Sequence, residues 1–150
     1  MKQILDYLNN YFFIQGEKGT FTITDNKIIV SQKYLQGQYI YLTGSIMNDN
    51  IYRIESINNN EITIVGANNE VFEGVIYSLA IPPTIIELEG KIKEWNLGHK
   101  PTNLQSETFG NYSYTMATVN GKLASWKDVF QEELKPYRKL YSGIERVKVI

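Results

Sequence analysis

The side chains that could do chemistry in this chain are carboxylates, a single imidazole and a large number of phenols. Glu132-Glu133, Glu87/Glu89 and Glu70/Glu73 are the right types for general acid–base work, which needs one carboxyl kept protonated by desolvation beside another left ionised. None has a sequence neighbour that would desolvate it, so each pair reads as a solvated helix face. His99 follows Gly98 at a helix end, where an imidazolium is stabilised by the dipole without any catalytic role. Gly16-Glu17-Lys18-Gly19 lacks both the spacing and the Ser/Thr partner of a phosphate-cradling loop. Asn48-Asp49-Asn50 has too few oxygen ligands, and no Glu at the required distance, for a calcium loop. The absence of Cys removes thiolate zinc sites and Cys nucleophiles, and one His removes every site that needs two imidazoles. No catalytic residue, cofactor or metal is expected, and the chain reads as a non-enzyme.

The scaffold that would position any site is one domain by length, since 150 residues fall within the usual ~100–200 per domain. The 43 % hydrophobic content suffices for a core without a disulfide or metal staple. A net charge of −1 argues against a generally nucleic-acid-binding surface, which is strongly basic. The N-terminus is too polar for a signal-peptide core, and apolar runs fall short of the ~20 residues that span a bilayer. A soluble protein of a reducing compartment, with no membrane partner, is expected. The aromatic content of 13 %, with 11 Tyr, is the unusual number. Tyr bury large area with a polar tip and serve an interface as readily as a core.

Periodicity divides the chain in three. Apolar residues at Ile4, Leu5, Leu8 and Tyr11 or Phe12 predict a short amphipathic helix over residues 2–11, ended near Gln15-Gly16. From 19 to 65 the period is 2, with turn chemistry at Asp25-Asn26, Gly44, Asn48-Asp49-Asn50 and Asn58-Asn59-Asn60. This predicts five short strands in a small antiparallel sheet or barrel, without parallel crossovers because no connection can hold a helix. From 71 the helical period returns: Phe72, Val75, Ile76 and Leu79 form one face, and Pro82-Pro83 break the chain before a second helix. That helix carries a stripe of Ile81, Ile85, Leu88, Ile92 and Trp95. Residues 99–123 have no sustained period and read as a loop of about 25 residues, a length that is usually functional. Ser125-Trp126-Lys127-Asp128 opens the last helix with a capping-box pattern, and Pro136 should end or bend it.

Two segments resist a purely structural reading. Gln105-Ser106-Glu107-Thr108-Phe109-Gly110-Asn111-Tyr112-Ser113-Tyr114-Thr115 is unusually aromatic for a loop and alternates at its end like a strand able to pair with a neighbouring chain. Lys135, Arg138, Lys139, Arg146 and Lys148 make the C-terminus locally cationic, suited either to a helix end or to contact with DNA or an acidic surface.

Several stretches in order resemble the head–tail connector (neck or adaptor) proteins of long-tailed bacteriophages and prophages. They are Gly37-Gln38-Tyr39; Gly44-Ser45-Ile46-Met47-Asn48-Asp49; Phe72-Glu73-Gly74-Val75-Ile76-Tyr77 with Ala80-Ile81-Pro82; Ile85-Ile86-Glu87-Leu88 to Trp95; Ser106-Glu107-Thr108-Phe109-Gly110-Asn111-Tyr112-Ser113-Tyr114; and Ser125-Trp126 with 130–139. The likeness spans about 12–140. Asn50 stands where a Gly is usual, and Asn111 where a second Gly or an Asp is common; both suit positive-φ turns.

The resemblance implies an α+β fold: a helical connector core (71–98 and 125–141) with an inserted antiparallel β-sheet or barrel (about 19–66) and a long extended loop (99–123), all one domain over 1–150. It implies a structural virion protein, made in the bacterial host cytoplasm and sited in the virion neck, forming a ring of about twelve copies by head-to-tail contacts. The ring would sit beneath the portal protein, extend the channel for packaged DNA and receive the next neck or tail-completion protein. Ser106, Glu107, Phe109, Gly110, Tyr112 and Tyr114 would then contact a neighbouring subunit or the portal, with Phe109 and Tyr112 as buried anchors. Lys135, Arg138 and Lys139 would face the DNA channel or an acidic surface. The alternative reading is a small β-barrel module that presents Tyr34, Tyr39, Tyr41 and Tyr52 as a stacking surface for single-stranded nucleic acid or carbohydrate.

Overall fold

The computed structural model describes residues 1–98, 118–119, 122–123, 125–139 and 148–150. It divides into two compact units, one of Met1–Ile81 with Leu140–Ile150, the other Pro82–Lys139. The first holds α1 (Lys2–Leu8) and strands β1 (Phe13–Thr24), β2 (Lys27–Ile29), β3 (Tyr39–Thr43), β4 (Asn50–Arg53), β5 (Ser56–Asn58), β6 (Glu61–Thr63) and β7 (Glu70–Leu79). The second holds α2 (Pro83–Gly98), the strand pair β8 (Thr118–Val119) and β9 (Lys122–Leu123), and helices α3 (Trp126–Val129) and α4 (Gln131–Leu134). A last strand, β10 (Lys148–Val149), returns to the first unit.

The first unit is a curled antiparallel sheet in the order β4-β3-β7-β1-β2-β6-β5. The hairpin between β1 and β2 turns on Asp25 and Asn26, at φ 51° and 64°, the pair of positive-φ positions a two-residue hairpin requires. Asn59, at φ 56°, turns β5 into β6. β4 and β5 end the sheet on opposite sides, yet only Ile54 and Glu55 separate them. The Ile54 N–H bonds Gln38 C=O on the β3 side at 2.9 Å, and the Glu55 N–H bonds Thr63 C=O on the β6 side at 2.8 Å. The sheet therefore bends round on itself into a half-barrel.

Alternate residues of the strands meet inside it: Phe21, Ile23, Ile28, Ile40, Leu42, Tyr52, Ile54, Ile62, Ile64, Phe72 and Ile76 form one buried cluster. Each such side chain contributes about 1.5–3 kcal/mol on leaving water. On the opposite face of the sheet Phe13 packs on Tyr77 at 5.0 Å between ring centroids, and Tyr11 meets Tyr41 edge-on at 5.4 Å. α1 buries Ile4, Leu5 and Leu8 and stops at Asn9, whose left-handed φ of 50° caps it.

The helical connector core is not what the chain forms. Residues 70–79, whose Phe72, Val75, Ile76 and Leu79 match a helical face, are the ten-residue strand β7, paired along β1 and β3. Its last residues are buried on both sides, Ile76 and Ser78 on one and Tyr77 and Leu79 on the other, so no alternation survives to distinguish it. Likewise 13–18, read as the region where the first helix ends, before the β region begins at 19, is the first half of β1. Gly16 is there for space: a Cβ would lie 2.9 Å from the Tyr77 ring and from Val75 Cγ1. The β region thus spans 13–79 rather than 19–66. One parallel pairing also occurs, β10 against Gln15 and Gly16 of β1, fastened by Ile150 N–H to Gly16 C=O (2.8 Å) and Lys18 N–H to Ile150 C=O (3.0 Å).

In the second unit α2 follows expectation, with Pro83 in its first turn and Ile85, Leu88 and Ile92 buried. The stretch 118–123, read as loop, contains the β8–β9 pair. The helix expected over 125–141 is broken at Phe130 (φ −102°, ψ 15°) into α3 and α4, then runs through a 3-10 turn, Lys135–Tyr137, to extended backbone at Arg138. The Ser125 N–H bonds the Asp128 carboxylate at 2.9 Å, one arm of the expected box. Among the described residues no helix is long and apolar enough to cross a membrane.

Candidate functional site

Ser106, Glu107, Phe109, Gly110, Tyr112 and Tyr114 lie outside the described residues, as does His99. Lys135, Arg138 and Lys139 are described and exposed, in and just after the 3-10 turn of the second unit. The four tyrosines of the alternative reading do not form an open surface. Tyr34, Tyr39 and Tyr52 are 7, 8 and 9 % exposed, and Tyr41 is half-buried against Tyr11. Tyr34 donates to the buried Glu17 carboxylate at 3.0 Å, and burial together with that negative charge pushes its phenol well above the ordinary range.

What the structure does bring together is the turn between β3 and β4, residues 44–49, with the start of β7. Gly44 and Gly74 let the two backbones touch. Gly44 has φ 87°, and a Cβ built on Gly74 would fall 2.0 Å from the Thr43 carbonyl oxygen. Past Gly44 the chain folds round its own side chains. Asp49 Oδ1 accepts the Ser45 N–H at 2.7 Å, and Ser45 Oγ accepts the Asn48 N–H at 2.7 Å and the Met47 N–H at 3.2 Å. Ser, Asn and Asp do this because their short polar arms reach backbone groups two to four residues away.

A second layer pins the turn to the sheet. The Glu70 carboxylate accepts from the Ser45 hydroxyl, the Ile46 N–H at 2.9 Å, the Met47 N–H at 3.4 Å and Asn48 Nδ2 at 2.8 Å. Those bonds, the Ser45 hydroxyl first, hold the Glu70 carboxyl below its ordinary value. Asn48 is 1 % exposed and clamps residue 68 from both sides, with Oδ1 accepting the Asn68 N–H at 2.8 Å and Nδ2 donating to the Asn68 carbonyl at 3.0 Å. Tyr52 donates to the Asn48 carbonyl at 2.9 Å, and burial raises its phenol above the ordinary value.

This network has one product. It holds Ile46 and Met47, 94 % and 57 % exposed, out in water on a turn whose backbone amides are already bonded. An isolated exposed apolar residue is ordinary, but here two adjacent ones are fixed at the tip of a part-exposed polar network in which Asn48 is buried, so their backbone is ordered before anything touches them. Asn48 and Asp49, weighed above as metal ligands, are occupied in the turn itself, and Asn50 is not at positive φ but begins β4, with its Oδ1 accepting the Ile51 N–H at 2.8 Å. Among the described residues no group of three His, Cys, Asp or Glu is placed to hold a metal. The sequence signal for the turn was present in Gly44-Ser45-Ile46-Met47-Asn48-Asp49, but Glu70 and Asn68 were not legible as its partners because they are about twenty or more residues away.

At the other end of the same β3–β4 hairpin a cleft of about 470 Å³ opens where β4 parts from the chain leaving β6. Ile51, Ile54 and Val65 line it, together with Gly37, Arg53 and Glu55. The exposed Arg53 guanidinium is set by its Nε bond to Gly37 C=O at 3.1 Å and lies over the Tyr39 ring at 5.5 Å.

No protein-family model, curated protein or solved structure matches this chain.

Proposed function

We propose that this chain is a structural assembly subunit of the head–tail connector kind, whose work is done by contacts rather than by chemistry. The observation that carries the reading is the pinned turn at 44–49. Among the many residues that carry the connector resemblance, Gly44, Ser45, Asn48, Asp49 and Gly74 help Glu70 and Asn68 to rigidify it, and what the turn presents is apolar. Such a device fits docking to another protein surface.

On this reading the subunit forms a ring of about twelve copies in the virion neck, closed by head-to-tail contacts. The ring lies between the portal protein and the next neck or tail-completion protein, with packaged DNA passing through it. Lys135, Arg138 and Lys139 supply its cationic contact. Segment 104–118 makes further contacts with a neighbour or the portal. The half-barrel, not a helical core, is the body that carries the pinned turn.

Co-expression with the portal protein of the same genome, followed by affinity purification, tests the reading. Stoichiometric capture supports it. Absence of capture, with salt-dependent binding of an oligonucleotide to filters, would replace it with the nucleic-acid module.

A further inference from the structure

The geometry points to the occupant of the cleft: the Ile46-Met47 tip of a second copy of this chain. The inference rests on the ring-forming reading and names the surfaces that would close the ring. The tip and the cleft lie at opposite ends of one β3–β4 hairpin, so a contact between them is heterologous and repeats head to tail, which is the contact a ring needs.

Size and polarity agree. A cavity of roughly 150 Å³ admits one benzene-sized group, so a cleft of about 470 Å³ admits two side chains the size of Ile and Met. Its accessible apolar lining, Ile51 and Val65, matches an apolar tip, and Val65 is itself 67 % exposed in the single chain, while Ile54 beside them is buried in the core. Charge favours this pairing through one residue: the tip is flanked by the carboxylates of Asp49 and Glu70, and the exposed Arg53 lines the cleft, as does Glu55. The tip arrives pre-formed because its amides are bonded to Glu70 and Ser45 before any partner comes.

The chain has no native Cys, so a disulfide can report the contact. Full-length Met47→Cys and Val65→Cys proteins, prepared separately, are mixed and mildly oxidised with and without the portal protein, and the assembly state is followed by sedimentation. The expected result is a mixed 47–65 dimer at least tenfold more abundant than either homodimer. Ile46→Asp, at a position almost fully exposed in the single chain, should abolish the cross-link and the assembly while leaving the circular dichroism unchanged. An assembled particle without the 47–65 cross-link, or one that survives Ile46→Asp, overturns this inference alone. A protein that stays monomeric at every concentration and beside the portal overturns both it and the ring.

Discussion

Two glycines and one glutamate decide whether the apolar tip stands where it does. Gly74→Ala would drive a methyl into the Thr43 carbonyl, a backbone atom that cannot swing aside. Overpacking of this kind costs about 1–3 kcal/mol, so the thermal midpoint should fall by several degrees. Gly90→Ala is the control: α2 offers open space around it, and replacing a helix-interior Gly should stabilise by about 0.5–1 kcal/mol. Equal midpoints for the two variants would show that the Gly44–Gly74 approach is not as described.

Glu70 makes the tip sensitive to acid. Its carboxyl is held below the ordinary value, so the charged form is favoured in the folded chain. The stabilisation is complete above the ordinary carboxylate range and is lost as pH falls through the depressed value. Amide exchange at Ile46 and Met47, read by NMR and corrected for intrinsic rates, should accelerate below that range in the native protein. Glu70→Gln should show the acceleration already at neutral pH. Protection that is unchanged in Glu70→Gln would mean that Ser45 and Asp49 hold the turn alone. Asp6 behaves in the same sense at the N-terminus. Burial would raise its carboxyl, but hydrogen bonds from Lys2 and Tyr11 outweigh this and bring it below the ordinary value.

At the level of elements, β7 is the strand on which the fold turns. Tyr77 separates the two readings of 70–79: it lies off the helical face of Phe72, Val75, Ile76 and Leu79, yet in the strand it is 9 % exposed and packed on Phe13. Tyr77→Ala should therefore destabilise by roughly 3 kcal/mol, in the range of large aromatic truncations. Val71→Ala, at 67 % exposure, should stay within about 0.5 kcal/mol. Urea titrations would settle it, and a neutral Tyr77→Ala would argue for the helix. The same comparison explains what the sequence makes legible. β3 is readable to the residue, and Asp25-Asn26 as a turn, because Tyr39-Ile40-Tyr41-Leu42-Thr43 is strongly β-forming and the turn residues are local signals. α2 is readable from its apolar stripe. β7 is not, since packing on both faces erases the period of 2, and Val75, Ile76 and Leu79 then fall at helical spacing by coincidence. β10 is not either: a two-residue strand in a basic tail is specified by the β1 edge it meets, not by its own residues. Of the contact residues, the turn's own Ser45, Asn48 and Asp49 are visible as turn formers, whereas their clamping by Glu70 and Asn68 is a tertiary fact.

For the whole molecule, a balanced net charge of −1 and a rigid apolar tip suit a subunit whose partners are protein surfaces, with a basic cluster only near the C-terminus. If Lys135, Arg138 and Lys139 face DNA, replacing all three with Glu should reduce DNA retention in assembled particles without altering assembly. The salt dependence of DNA binding should become shallower in proportion to the number of phosphates no longer neutralised. Unchanged retention and slope would assign these residues to a solvated surface. The most direct measurement of the central claim is single-particle electron microscopy of the portal with this protein bound. A closed ring of copies beneath the portal, with residues 44–49 of each subunit buried against a neighbouring chain, is the predicted result; a ring in which Ile46 and Met47 remain in solvent, or a portal with no bound ring, would contradict it.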